Sequence, residues 1–284
     1  MGAVILDGKA MAGKILGQVK ERTTALHSNG VLPHLTVIII GDDPASQLYV
    51  RNKEKACSRC GINSSIINLP ASSSLEDVTK VIDDLNLDDS VHGILVQSPA
   101  PKEINEYDIA LRIAKNKDVD GFHPENLGTL VQGRKGGLVP CTPSGVMRIL
   151  EISGADIKGK RALVIGRSRI VGMPMSLMLA RRGADATVTI AHSMTPEIGP
   201  LCKEADIVVS AIGVAGFVKA DWIKPGSFLI DVGISRGPDG KIAGDFEPGV
   251  IDVAGWVTPV PGGVGPMTIA MLMENTVLAA EKRV

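Results

Sequence analysis

Residues 161–174 read RALVIGRSRIVGMP, and their order decides the fold. Arg161 to Ile165 is a short apolar run suited to a buried strand, Gly166 follows at the turn, Gly172 stands where the next helix starts, and Pro174 suits its first turn. A strand, a glycine turn and a helix in that order form a pyrophosphate cradle. Glycine lets the main chain approach the phosphates, and free N–H groups at a helix N-terminus attract negative charge. The run is not the G-x-G-x-x-G fingerprint, and a tight strand-to-helix turn with no ligand would look the same, so both readings stay open on spacing alone.

Downstream of this turn the pattern predicts a helix over 172–182, a strand over 186–191, a helix over 197–204, and strands over 206–210 and 228–232. That alternation is a Rossmann-like half with its glycine turn after the first strand. The strand over 186–191 ends in His192-Ser193-Met194-Thr195, about where an NAD enzyme places a carboxylate for the ribose 2′-hydroxyl. No acid stands there. Ser193 and Thr195 can donate to a 2′-phosphate and Arg167 supplies charge, which favours NADP over NAD; a plain polar loop is the alternative.

Upstream, the chain predicts a helix from Gly8 to Asn29, a strand from Leu35 to Ile40, a helix over 45–60, a strand over 64–69, a helix over 75–87, a strand over 92–97 and a helix over 105–115. Residues 116–142 then lose periodicity and fill with Gly, Asp, Asn and Pro, as expected of a functional loop region at the lobe boundary. A helix over 143–153 leads into the second half. A last helix over 267–282 follows the Pro/Gly-rich segment Thr258 to Pro266 and is expected to pack back on the first lobe. The expected fold class is therefore α/β with two lobes: residues 1–140 plus 266–284 as a parallel-sheet catalytic domain, and 141–265 as a Rossmann-like domain.

The 284 residues suffice for two cores. Hydrophobic content of 44% and a formal charge of −1 mark a globular chain without an electrostatic footprint for nucleic acid or an anionic membrane, leaving a small molecule as the expected partner. The N-terminal residues lack a positive n-region and a long apolar run, so neither export nor anchoring is expected. Four cysteines in such a length point to a reducing cytoplasm rather than a disulfide framework. Cys57 and Cys60 form a C-x-x-C, but Cys141 and Cys202 are isolated and the five histidines show no ligand spacing, so the thiols read as small helix residues and no metal is expected.

Tyr49 and Lys53 stand one turn apart on the helix over 45–60, and Cys57 and Cys60 continue their face, which makes that face at least partly buried. A lysine there either snorkels to water or has a reason to stay. The Tyr-x-x-x-Lys spacing of short-chain dehydrogenases is excluded, because there it follows the glycine motif, whereas here it precedes Gly166. Gln97 ends its strand at the carboxyl edge of the sheet, where open α/β folds bind ligands. Asp118 and Asp120 follow in KDVDGFHP. A calcium loop fails there, with Gly121 at the fourth place, Phe122 at the fifth and Thr129 at the twelfth, and Asp120 taken alone reads as a turn aspartate. Residues 259–268, PVPGGVGPMT, form a stiff loop poor in side chains, suited to close approach by a flat ligand.

Taken together, PASQLYVRNKEKA, GILVQSPAP, KDVDGFHPEN, PCTPSG, GRSRIVGMPMS, DVGI and TPVPGGVGPMT resemble the ordered motifs of the bifunctional methylenetetrahydrofolate dehydrogenase/cyclohydrolase family over about residues 40–276. The resemblance implies NADP-dependent oxidation of methylenetetrahydrofolate to the methenyl form and its hydrolysis to 10-formyltetrahydrofolate, in a cytoplasmic homodimer serving one-carbon metabolism and purine biosynthesis. It implies a folate site between the lobes, with Tyr49 stacking on the ligand, Lys53 as the principal catalytic residue, Gln97 assisting it and Asp120 binding the pterin. It also implies that Gly166, Arg167, Ser168, Ser193 and Ile234 contact the cofactor, and that Pro261, Gly262 and Gly263 line the folate site. Ser98 and Ala100 depart from the pattern, the family usually having leucine at both; they are expected to be packing positions that affect affinity more than reaction type. Three alternatives are an amino-acid or shikimate dehydrogenase with the same two-lobe layout, a monofunctional member of the family, and a nonenzymatic folate- or nucleotide-binding protein.

Overall fold

The computed structural model describes residues 2–237 and 240–282. Met1, Pro238, Asp239, Arg283 and Val284, which fall inside the expected domain ranges, lie outside the described residues. The first half of the chain carries β1 (Val4–Ile5), α1 (Gly8–Ser28), β2 (His34–Ile40), α2 (Pro44–Cys60), β3 (Asn63–Leu69), α3 (Leu75–Leu87), β4 (Gly93–Val96), α4 (Glu106–Arg112), α5 (Pro124–Val131) and α6 (Cys141–Ile152). The second carries β5 (Arg161–Ile165), α7 (Gly172–Ala180), β6 (Thr187–Ala191), α8 (Ile198–Glu204), β7 (Ile207–Ser210), β8 (Phe228–Asp231), β9 (Ser235–Arg236), β10 (Ile242–Ala243), β11 (Trp256–Val257) and α9 (Val264–Glu281).

The chain forms two compact units, one of Gly13–Cys141 with Ile269–Val284 and the other of Met1–Ala12 with Thr142–Thr268. The sheet of the first unit is parallel in the order β3-β2-β4. Its central strand β2 is buried along nearly its whole length, which is why its sequence reads as continuous Val and Ile rather than as an alternation. Ile38 and Ile40 pack with Val78 and Ile82 of α3 and with Ile104, Ile109 and Ile113. The helix α2 starts where Asp43 accepts the Ser46 N–H at 2.7 Å with Pro44 in the first turn, and ends at Gly61 in the left-handed region (φ 74°). Ser74 and Asp77 close a capping box at the start of α3.

In the second unit six parallel strands run in the order β1-β11-β8-β7-β5-β6. The chain leaves β5, adds β6 on one side and returns to place β7 on the other, so the carboxyl ends of β5 and β7 flank a topological switch point, the usual ligand position in such sheets. Leu163, Ile165, Val208 and Leu229 anchor its core.

Three expectations need correction. Residues 3–12 group with the second unit rather than with the first lobe, because β1 pairs with β11 and the Lys9 N–H donates to Gly262 O at 3.0 Å. The last helix starts within the second unit, and its part from Ile269 onward belongs with the first. Residues 116–142 are not loop throughout, since α5 starts at Pro124, with His123 Nδ1 accepting the Glu125 N–H at 3.1 Å. Among the described residues, no helix is long and apolar enough to cross a membrane.

Candidate active site

In the first unit α2 carries Tyr49 and Lys53 on one face, and Cys57 and Cys60 continue that face into the core, both fully buried. Burial pushes the Cys57 thiol up to about 12 and the Cys60 thiol up to about 11, so neither is a nucleophile at neutral pH. Tyr49 keeps 41% of its surface exposed, leaving a ring available to stack on a ligand. One turn further on, Lys53 Nζ donates to Gln97 Oε1 at 2.8 Å. The other end of the amide is fixed as well, because Gln97 Nε2 donates to Ser98 O at 2.6 Å. Gln97 therefore presents its oxygen to the amine.

Desolvation lowers the Lys53 pKa, while the neighbouring Asp120 and, more weakly, Cys141 and Cys57 oppose that fall. Asp120 responds in the opposite sense: burial pushes its carboxyl up to about 6, with Lys53 pulling it down and Asp118 pushing it up. The pair is thus an amine easier to deprotonate than usual beside an acid harder to ionise than usual, as expected where acid-base chemistry is done near neutrality.

Of the two aspartates in KDVDGFHP, it is Asp118 that makes the turn. Its carboxylate accepts from the Gly121 N–H at 3.1 Å, the His123 N–H at 2.7 Å and Asn126 Nδ2 at 2.9 Å, which leaves Asp120 for other work. Gly121 is needed beside it: its φ is +78° and a Cβ there would stand 2.4 Å from Val139 C. Asn275, absent from the sequence reasoning, and Cys141, read there only as an isolated thiol, complete the support. Asn275 of α9 donates to Val119 O at 2.8 Å and to Val139 O at 2.9 Å, and the Cys141 thiol donates to Val119 O at 3.2 Å and favours the ionised form of Asp120. Of the two departures from the family pattern, Ala100 packs against the core, whereas Ser98 is exposed and acts through its carbonyl on Gln97.

In the second unit the residues expected at a cofactor cluster on the carboxyl edge of the sheet. Gly166 leaves β5 with φ +114°, and a Cβ on it would stand 2.7 Å from Ala211 O; a Cβ on Gly172 would stand 2.2 Å from Gly166 O. Both glycines are required for this close main-chain packing. Arg167 and Ser168 follow in exposed positions, Ser193 is exposed at the turn that ends β6, and Ile234, 52% exposed, follows β8. The expectation of free N–H groups at the start of α7 is not met. Ser168 Oγ accepts the N–H groups of Val171 at 3.2 Å and Gly172 at 3.3 Å, Ser168 O takes that of Met173 at 3.0 Å, and Pro174 has none. Thr195 Oγ1 accepts the His192 N–H at 2.9 Å, which leaves its own hydrogen to donate.

Pro261, Gly262 and Gly263 also lie in the second unit. Gly262 has φ +110°, and the start of α1 abuts this turn so closely that a Cβ on Gly8 would stand 1.8 Å from Gly263 O.

A half-buried amine-carboxylate pair in one parallel α/β unit and a glycine cradle at the switch point of another define a two-domain dehydrogenase class. Residues 6–120 match the family described as tetrahydrofolate dehydrogenase/cyclohydrolase, catalytic domain, and residues 140–284 match its NAD(P)-binding domain. The chain is 51% identical over 284 residues to the bifunctional protein FolD of Moorella thermoacetica, covering 99% of this chain and 100% of that protein. The structure of the bifunctional FolD enzyme of Campylobacter jejuni superposes with a TM-score of 0.96 at 46% identity, covering 99% of this chain and 100% of that one. That of the Trypanosoma brucei enzyme, complexed with NADP and an inhibitor, gives 0.95 at 39% identity and covers 100% of this chain and 99% of that one. The chain belongs to the tetrahydrofolate dehydrogenase/cyclohydrolase family.

The glycine packing makes a direct test available. Gly172→Ala forces the turn open against Gly166 and is expected to weaken NADP binding at least about tenfold in a calorimetric titration. Unchanged affinity would contradict the placement of the dinucleotide on this turn.

Proposed function

We propose that this protein catalyses both reactions of its family, NADP-dependent oxidation of 5,10-methylenetetrahydrofolate and hydrolysis of the methenyl product to 10-formyltetrahydrofolate, with Lys53 as the base of the second step. The observation that carries the reading is the Lys53–Gln97 hydrogen bond at 2.8 Å beside Asp120, which holds an amine of lowered pKa in one orientation.

Gly166, Arg167, Ser168, Ser193 and Ile234 hold NADP, and the edge fits that group because Arg167 and Ser193 are exposed there, offering a cation and a hydroxyl donor to phosphate oxygens. When bound, NADP takes up hydride from the one-carbon bridge. The residues of this chain have no strong base to supply in that step; their task is to position the folate, with Tyr49 against its ring system and Asp120 on the pterin.

The second step needs a base. Water attacks the methenyl carbon, and the neutral Lys53 amine takes one of its protons; Gln97 Oε1 holds the amine so that its lone pair faces away from the amide. Collapse of the adduct breaks the bond to one ring nitrogen, which receives the hydroxyl proton, and leaves the formyl group on the other nitrogen. The cationic substrate itself disfavours an ammonium at Lys53, so it helps to create the base that hydrolyses it. A cytoplasmic homodimer is the setting that fits this chemistry and the chain's buried, unpaired thiols.

Two outcomes follow. In folded Lys53→Met, methenyl hydrolysis is expected to fall by about 10²–10⁴-fold, with a smaller effect on NADP reduction; intact hydrolysis would remove Lys53 from the base role. In wild type the kcat for hydrolysis is expected to rise with pH as Lys53 loses its proton. Asp120 raises the Lys53 pKa, so Asp120→Asn should move this rising limb to lower pH, and a move to higher pH would contradict the assigned coupling.

A further inference from the structure

Two carboxylates lie buried together in the second unit, at positions that the proposed chemistry does not use. Asp231 ends β8 at 5% exposure, and Asp245, in the loop after β10, is fully buried. They are adjacent, since the Asp245 N–H donates to Asp231 Oδ1 at 2.9 Å. Two neighbouring carboxylates in a protein interior are unfavourable unless strong donors compensate them. Here five of the six donors are main-chain groups. Asp231 accepts from the N–H groups of Gly233 at 3.1 Å, Asp245 at 2.9 Å and Phe246 at 3.1 Å. Asp245 accepts from the Ile212 N–H at 2.9 Å, the Val214 N–H at 2.9 Å and the Ser210 hydroxyl at 2.8 Å.

Three of these donors, Ile212, Val214 and Gly233, belong to two loops at the carboxyl edge. Residues 211–214 leave β7 next to the glycine turn, where Ala211 O and Ile212 Cγ2 would stand 2.7 and 3.5 Å from a Cβ on Gly166. Residues 232–234 leave β8 beside the same loop, with Ile234 O 3.9 Å from a Cβ on Gly213. The Asp245 carboxylate sits where these loops meet. A Cβ on Gly233 would overlap its Oδ1 at 1.9 Å, and a Cβ on Gly244 would overlap Asp231 Oδ2 at 2.0 Å. Glycine at 233 therefore makes room for a carboxylate of the protein itself, and Ile234 is presented beyond it.

We propose that Asp245, backed by Asp231, is a positioning residue for the dinucleotide. It clamps residues 212–214 against the glycine turn and against Ile234, and so fixes the main-chain floor on which the cofactor lies. Its carboxylate touches no reacting atom. Burial that pushes the Asp231 carboxyl up to about 7 is consistent with a pair kept for more than stability. This inference rests on the placement of the cofactor at the carboxyl edge of this sheet.

Asp245→Asn preserves volume but gives the amide a donor where Asp245 now accepts, so one of the Ile212 and Val214 N–H bonds is lost whichever way the amide turns. Calorimetric titration of the folded variant with NADP is expected to show a Kd raised about tenfold, and steady-state assays a matching rise in the KM for NADP with kcat changed less than about twofold. Hydrolysis of added methenyltetrahydrofolate, which uses no nicotinamide, should change less than about twofold. An unchanged Kd, or a parallel fall of hydrolysis and reduction, would overturn the proposal. If the variant does not fold, Ser210→Ala decides: it removes one donor to Asp245 and is expected to raise the Kd about threefold, an unchanged Kd again overturning the proposal. Failure of the wild-type protein to bind NADP would instead refute the cofactor assignment itself.

Discussion

Removal of the Lys53 amine from bulk water, against the charge of Asp120, is the constraint on which the site depends. Desolvation alone would discharge the amine, and the carboxylate alone would keep it protonated; together they lower its pKa without abolishing its basicity. That balance holds only if both side chains stay where they are. Gln97 restrains the amine, while Asn275 and the close packing at Gly121 restrain the turn that carries Asp120. Polar groups of the first unit therefore serve geometry, with Asp118 satisfying three donors so that Asp120 need satisfy none of them.

The second unit solves a different problem with main chain. Residues 140–284 match an NAD(P)-binding domain, and Gly166, Gly172, Gly233 and Gly244 are placed where any side chain would collide with a carbonyl oxygen or a carboxylate. The first-turn N–H groups of α7 are consumed internally by Ser168, so the turn holds its shape before any ligand arrives. Ser168 fixes the turn before α7, and the Asp231–Asp245 clasp fixes the neighbouring loops after β7 and β8.

The legible parts of the sequence were those governed by local pattern. The strands β2 and β5 announce themselves because burial on both faces demands unbroken apolar runs, and the helix bearing Tyr49 and Lys53 is bounded by a cap and a glycine. The two-residue strands β1 and β11 are too short to carry any periodicity, and α5 hides in a segment whose Pro and Gly content argues for loop. Interactions across long sequence separations were not legible at all. Asn275 reaches Val119 across 156 residues, and Asp245 reaches Ile212 across 33, with no spacing rule to connect them. Motif resemblance nominated the residues proposed to face ligands; the residues behind them emerged only from the packing.

The central claim is that one chain oxidises methylenetetrahydrofolate with NADP and then hydrolyses the product. The most direct measurement follows nicotinamide absorbance on mixing purified protein with methylenetetrahydrofolate and either NADP or NAD, and in parallel the decay of added methenyltetrahydrofolate. The account requires reduction of NADP in preference to NAD together with methenyl decay faster than in buffer. Reduction with NAD alone would overturn the cofactor assignment, and folded protein silent in both assays would contradict the account as a whole.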